Sequence, residues 1–146
     1  MMRNHPRIIG FLGQGLSHEY GAVQQYLTQA SLCTLWGLKD WVVRFRADAE
    51  EELGHADLLN QRLLLLGVAP TGAQLRPPRP GTDLRQMLVL DIDVEHAAVA
   101  LYAEAESFAT RMRDGETAAL FSRLRQDEEE HLQHLHAVLA QMDGQG

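Results

Sequence analysis

A chain of 146 residues, 45% hydrophobic and 23% charged, is long and apolar enough for one globular domain with a sizeable core, which excludes a disordered polymer. Its formal net charge of −7 argues against a nucleic-acid partner, whose phosphates require a basic face, and suits a cation instead. Cys33 is the only cysteine, so an intrachain disulfide is impossible and a thiolate-built zinc or iron–sulfur site has too few ligands.

The N-terminal Met-Met-Arg-Asn-His-Pro opens an amphipathic helix and lacks the apolar centre of a signal peptide. No run approaches the roughly 18 apolar residues of a membrane span, so the expectation is a cytoplasmic chain with no membrane partner. Pro6 suits a first helical turn, and from about Arg7 to Leu35 the positions Ile9, Leu12, Leu16, Glu19, Val23, Tyr26 and Ala30 recur at alternating steps of three and four. Glu19 therefore occupies a core slot. Gly37 breaks the chain, and a second helix from about Leu38 to Leu66 carries the seam Leu38, Val42, Phe45, Ala49, Glu52, Ala56, Leu59, Leu63 and Leu66.

Residues 67–81 hold four of the five prolines and read as a loop. Extended, such a loop reaches roughly 50 Å at ~3.3 Å per residue, enough to pass from one end of a long helix to the other. A third helix begins near Thr82 or Asp83 and points Leu88, Ile92, Glu95, Val99 and Tyr102 inward. Asp114-Gly115 turns the chain into a fourth helix running to about Met142, with Ala118, Phe121, Glu128, Leu132, Leu135, Leu139 and Met142 on its buried face and Asp143-Gly144 at its end. Two short turns and one long crossover between helices 2 and 3 predict an all-α antiparallel four-helix bundle, residues 1–146 as a single domain.

Two units stand out within those helices, Glu52-Leu-Gly-His55 and Glu128-Glu-Glu-His131. Residues three apart share a helical face, so each unit aims a carboxylate and an imidazole at one point. The units are 76 residues apart, and the same step carries Glu19 onto Glu95, Tyr26 onto Tyr102 and Phe45 onto Phe121. The chain is thus a degenerate repeat of two helical hairpins, each with a lone Glu and a Glu-x-x-His, consistent with a pseudo-two-fold axis. Each of the four glutamates falls near the middle of its helix, which predicts that all six ligands share one layer. Four ionised carboxylates there are untenable alone, because each buried charge costs several kcal/mol, whereas two divalent cations cancel them. Mixed carboxylate and imidazole donors suit Fe²⁺, Mn²⁺ or Zn²⁺. His18, His96, His134 and His136 lie off the seam and read as solvated or interface residues. Tyr102 reads as core packing.

The stretches His18-Glu-Tyr-Gly-Ala-Val-Gln-Gln-Tyr26, Trp36-Gly-Leu-Lys39, Glu51-Glu-Leu-Gly-His-Ala-Asp57, Leu66-Gly-Val-Ala-Pro70, Asp91-Ile-Asp-Val-Glu95 and Asp127-Glu-Glu-Glu-His131 resemble the bacterioferritins of the ferritin-like superfamily. One inward Glu from each of two helices plus a Glu-x-x-His from each of the others is that superfamily's general pattern. The resemblance implies a ferroxidase and iron-storage subunit that binds two irons, oxidises Fe²⁺ with O₂ or H₂O₂ and passes Fe³⁺ to a mineral. It implies that Glu52 and Glu128 bridge the irons, Glu19 and Glu95 are terminal carboxylates, and His55 and His131 each ligate one iron. Tyr26 resembles the tyrosine that supplies an electron to the family's dimetal centre.

Three departures shape the remaining expectations. Leu53 stands where many family members carry a haem-ligating methionine, so haem is not expected. His134 replaces a family tryptophan beyond the last ligand. The sequence stops at Gly146, where the family adds a fifth helix around a four-fold channel. The resemblance implies a homo-oligomer, at least a dimer and by family a 24-subunit cage, with a haem-binding sister subunit as a candidate partner. A small dimeric di-iron or manganese peroxidase or oxygenase is the alternative, and a metal-free scaffold bundle a distant one.

Overall fold

The computed structural model describes residues 5–71 and 74–144, and its only regular elements among them are four helices: α1 (Pro6–Leu35), α2 (Lys39–Leu65), α3 (Leu84–Arg111) and α4 (Gly115–Gly144). The reading of the N-terminal stretch falls in part on residues 1–4, and that of the chain's end on residues 145–146, both outside the described residues. Contacts divide the chain into two compact units, Met1–Pro80 and Gly81–Gly146. Each unit is built on a helical hairpin.

In the first unit, Pro6 starts α1 and the His5 Nδ1 accepts from the backbone N–H of Arg7 at 3.1 Å. At the far end Leu38 donates to the Cys33 carbonyl at 2.9 Å while Gly37 takes φ 74°, a left-handed stop that turns the chain into α2. Between the helices lies a core of Leu12, Leu16, Tyr26, Ala30, Phe45, Ala49, Ala56 and Leu59, all buried. Cys33 is buried too, and burial pushes its thiol pKa up.

After α2 the described residues of the connection to α3 form no regular element, and three of them are hydrogen-bonded to side chains of α1. Gln74 N–H donates to Ser17 Oγ, Arg79 N–H to Gln25 Oε1, and Gln29 Nε2 to the Pro80 carbonyl, at 3.3, 3.3 and 3.1 Å. From Ser17 to Gln29 is roughly 18 Å of helix at ~1.5 Å per residue. The crossover is therefore tied down by side chains of α1 and not left as a free strap. The buried amides of Gln25 and Gln29 are the ones that hold it.

In the second unit, Asp83 caps α3 by accepting from Gln86 N–H at 2.8 Å, and Gln86 Oε1 reaches back to Thr82 N–H at 2.7 Å, a reciprocal cap. Asp114 caps α4 through Thr117 N–H at 3.2 Å. Phe108, Leu88, Tyr102, Phe121, Leu124 and Leu135 form the core, with Tyr102 stacked on Phe121 at 6.1 Å as packing predicts. The helix continues to Gly144, past the expected stop near Met142, and Asp143 is held by Arg85 at 2.8 Å.

The seam expected from alternating three and four steps drifts towards helix ends. Ile8 is buried and Ile9 only half-buried; Thr117 is buried and Ala118 half-buried. The reason is geometric: three turns of a straight helix take about 10.8 residues, which leads back from Glu19 to residue 8 and from Glu128 to residue 117.

Candidate metal centre

In the first unit, α1 and α2 bring the middle of each helix together at Glu19, Glu52 and His55. One ligand atom of each lies within 4.8 Å of those of the other two. His55 Nδ1 sits 3.0 Å from Glu19 Oε2 and 3.7 Å from Glu52 Oε2. Both carboxylates are 0% exposed and His55 is 4% exposed. Burial alone would lower the pKa of His55, but the hydrogen bonds and charges of Glu19 and then Glu52 outweigh it and push it up to about 11. In the metal-free chain this imidazolium is the counter-cation of its two carboxylates. A divalent ion that displaces the proton takes over the same role.

The second unit repeats the arrangement. Glu95 from α3 joins Glu128 and His131 from α4, again with one ligand atom each within 4.8 Å of the others. His131 Nδ1 lies 3.3 Å from Glu95 Oε1, and Glu95, Glu128 and His131 are 0, 1 and 8% exposed. Each hairpin thus holds two buried carboxylates and one imidazole around a single point.

This donor set fits an ion. Glu19 Oε1 is buried and accepts no hydrogen bond among the described residues, a position that costs free energy unless something cationic occupies it. Nitrogen and carboxylate oxygen together favour Fe²⁺, Mn²⁺ or Zn²⁺ over Mg²⁺ or Ca²⁺, which take oxygen alone.

The ferritin-like domain family matches residues 9–144. This chain belongs to that family. It is 33% identical to the bacterioferritin of Rhodobacter capsulatus over 145 residues, covering 99% of this chain and 90% of the relative. With bacterioferritin BfrA of Mycobacterium tuberculosis it shares 27% over 145 residues, covering 99% and 91%. The solved Rhodobacter capsulatus structure, described as having a metal-free dinuclear site and a haem iron, matches with a TM-score of 0.95, covering 99% of this chain and 91% of that one. The Mycobacterium tuberculosis BfrA structure matches at 0.94, 27% identity and the same coverage. The fold class is accordingly the ferritin-like four-helix bundle expected from the sequence, and the relatives are bacterioferritins.

Beyond its two triads, the ferritin-like chain places the other singled-out residues as follows. Tyr26 is fully buried in the core of the first unit. Leu53 faces outward from α2, 46% exposed. His18 is half-buried, and His96, His134 and His136 are exposed. The acidic neighbour Glu129 is engaged by Arg125 Nη1 at 2.9 Å, and Arg125 also binds Glu106 Oε1 at 2.9 Å. Sequence reasoning missed Asp91, which is 0% exposed on α3. Its spacing of four from Glu95 places both on one helical face, a signal present in the Asp91-Ile-Asp-Val-Glu95 stretch.

Proposed function

We propose that this chain is a ferroxidase and iron-storage subunit, folded as one ferritin-like domain over residues 1–146. In this reading the triads Glu19/Glu52/His55 and Glu95/Glu128/His131 together hold two Fe²⁺. Glu52 and Glu128 bridge the ions, Glu19 and Glu95 are terminal carboxylates, and His55 and His131 each supply one nitrogen. The observation that carries it is that each hairpin gathers the same buried pair of carboxylates and one imidazole around a point. Four carboxylates and two divalent ions are charge-neutral, which removes the penalty of burying either set alone.

Two Fe²⁺ give up one electron each to O₂ or H₂O₂, and the Fe³⁺ produced leaves as mineral. The protein's residues position the ions, keep water from them by burial and move protons: His55 releases its proton as an ion arrives. Tyr26, in the core of the same hairpin as Glu19, is a redox-capable side chain suited to supply a further electron. Leu53 has no lone pair with which to ligate haem, so a homo-oligomer of this chain holds none by a bis-methionine arrangement. The subunit assembles as a dimer at least and by family as a 24-subunit cage, with a haem-binding sister subunit as a candidate partner. No helix among the described residues is long and apolar enough to cross a membrane, which fits a cytoplasmic setting.

The test is aerobic stopped-flow oxidation of Fe²⁺ by the full chain. Glu128→Ala should abolish the fast phase while circular dichroism stays helical, and Glu129→Ala, whose side chain pairs with Arg125, should oxidise iron as the unchanged chain does. A Glu128→Ala chain with unchanged rates would falsify the assignment. Sedimentation with iron present should show a particle far above a dimer; a dimer and nothing larger would replace storage by a small di-iron oxidase or peroxidase.

A further inference from the structure

His96 and His136 lie outside both triads, and the second unit brings them together. Their ring centroids are 5.9 Å apart with planes at 75°, one from α3 and one from α4, and both side chains are exposed. Two imidazole nitrogens ~2.0–2.1 Å from one shared ion allow ring centroids up to roughly 6.4 Å apart, and about 5.2 Å for a tetrahedral angle. The observed separation lies inside that range, so the two rings are close enough to share one ion.

The repeat supplies an independent comparison. The 76-residue step carries Tyr20 onto His96 and Asn60 onto His136, and in the first unit Asn60 Nδ2 donates to Tyr20 Oη at 3.2 Å. Both hairpins therefore set these two positions face to face. Only the second fills both with imidazoles. Asp93, exposed three residues before His96 on the same helix, adds negative charge beside them.

We propose that His96 and His136 chelate a single divalent transition ion at the surface of the α3–α4 hairpin, binding Cu²⁺ most tightly, then Zn²⁺ and Ni²⁺, and Fe²⁺ weakly. The preference follows from the imidazole donors and the general order of divalent affinities. It is an accessory site for an ion other than the iron substrate, and its existence does not depend on the ferroxidase reading.

Cu²⁺ alone is the probe, added to the full chain in a Glu52→Ala/Glu128→Ala background that disables the buried triads. Electron paramagnetic resonance should show one Cu²⁺ per chain coupled to two nitrogens. His96→Tyr/His136→Asn, which copies the pair of the other hairpin and so should fold, should lose that ion. Either single substitution should weaken binding roughly tenfold or more. Identical stoichiometry and spectrum with and without the two substitutions would overturn the site, as would a single substitution that leaves affinity unchanged. In the otherwise unaltered chain, His96→Tyr/His136→Asn should oxidise Fe²⁺ normally; lost oxidation would show that the pair belongs to the iron chemistry and overturn its accessory role.

Discussion

At the turn between α1 and α2 the left-handed position belongs to Gly37, at φ 74°; 76 residues later, between α3 and α4, the same position belongs to Arg113, at φ 58°. The hydrogen bonds around the two are alike. Leu38 N–H meets the Cys33 carbonyl at 2.9 Å, and Asp114 N–H meets the Ala109 carbonyl at 3.0 Å. The hairpins therefore share a backbone solution while differing in how comfortably their residues adopt it. They differ likewise in what flanks the core. Gln25 and Gln29 of the first hairpin correspond to Leu101 and Ala105 of the second, and the two amides of α1 meet crossover backbone at Arg79 and Pro80. The ligand triads, by contrast, repeat residue for residue. The residues that could hold an ion are common to both hairpins, and what braces each hairpin follows its own neighbours.

The largest expected effect tests whether the two halves are equivalent where they repeat. Glu52→Ala and Glu128→Ala should slow Fe²⁺ oxidation alike, by more than about 100-fold, since even outer partners of a metal ligand are worth roughly 10–100-fold. A chain that keeps fast oxidation after one substitution but not the other would show that a single hairpin suffices. The rates are to be measured at saturating iron, so that weaker binding is not mistaken for lost chemistry.

Next comes the crossover. Gln29→Ala leaves the Pro80 carbonyl without its amide donor in a part-buried site, and should cost about 1–3 kcal/mol in urea denaturation. The corresponding Ala105→Gln places an amide in the fully buried core of the second hairpin, and should also destabilise. If Gln29→Ala were silent, the loop would not depend on α1 as the hydrogen bonds indicate.

Helix limits, the carboxylates in core slots and the 76-residue register are all legible in the amino-acid sequence, because a helix converts residue spacing directly into a face. Gln25 and Gln29 are not legible there as buried residues, whereas Asp91 carries a signal in its spacing of four from Glu95. A polar side chain flanking a seam reads as solvated unless its partner is known, and for the glutamines that partner is loop backbone about fifty residues away. The meeting of His96 with His136 is hidden for a related reason: it depends on how far one helix slides along the other, which no single helix period records. The seam's drift at Ile8 and Thr117, in turn, arises because alternating steps of three and four imply 3.5 residues per turn where straight helices have 3.6.

The turns supply a smaller and sharper test. A non-glycine residue in the left-handed region costs on the order of 1 kcal/mol, so Arg113→Gly should stabilise the chain by about that much and Gly37→Arg should destabilise it similarly. Nothing lies within 4 Å of a Cβ built on Gly37, so any loss there reports backbone strain and not a clash. The greater freedom of glycine in the unfolded chain offsets part of the gain at Arg113 and part of the loss at Gly37, and leaves the two shifts opposite in sign. Equal signs would mean that the turns are not equivalent after all.

The smallest effect is expected at the ion pair that has no counterpart in the first hairpin. Arg85 Nε meets Asp143 Oδ1 at 2.8 Å and Nη2 meets Oδ2 at 3.0 Å, a two-pronged geometry that lowers the pKa of Asp143 and raises that of Arg85. Yet the two side chains are 56 and 49% exposed, so water screens their attraction and ordering both side chains consumes most of what remains. Arg85→Ala should leave the melting temperature unchanged within error at physiological salt. Arg125→Ala should be felt more, because Arg125 is 25% exposed and binds both Glu106 and Glu129, the first from α3 and the second from its own helix. Melting both variants at low and high salt separates the cases: the Arg125 loss should persist when surface charges are screened, whereas any Arg85 loss seen at low salt should vanish. A salt-resistant loss at Arg85 would mean that the end of α4 is clamped by this pair, and that the second hairpin is braced at its tip as firmly as the first is braced by its crossover.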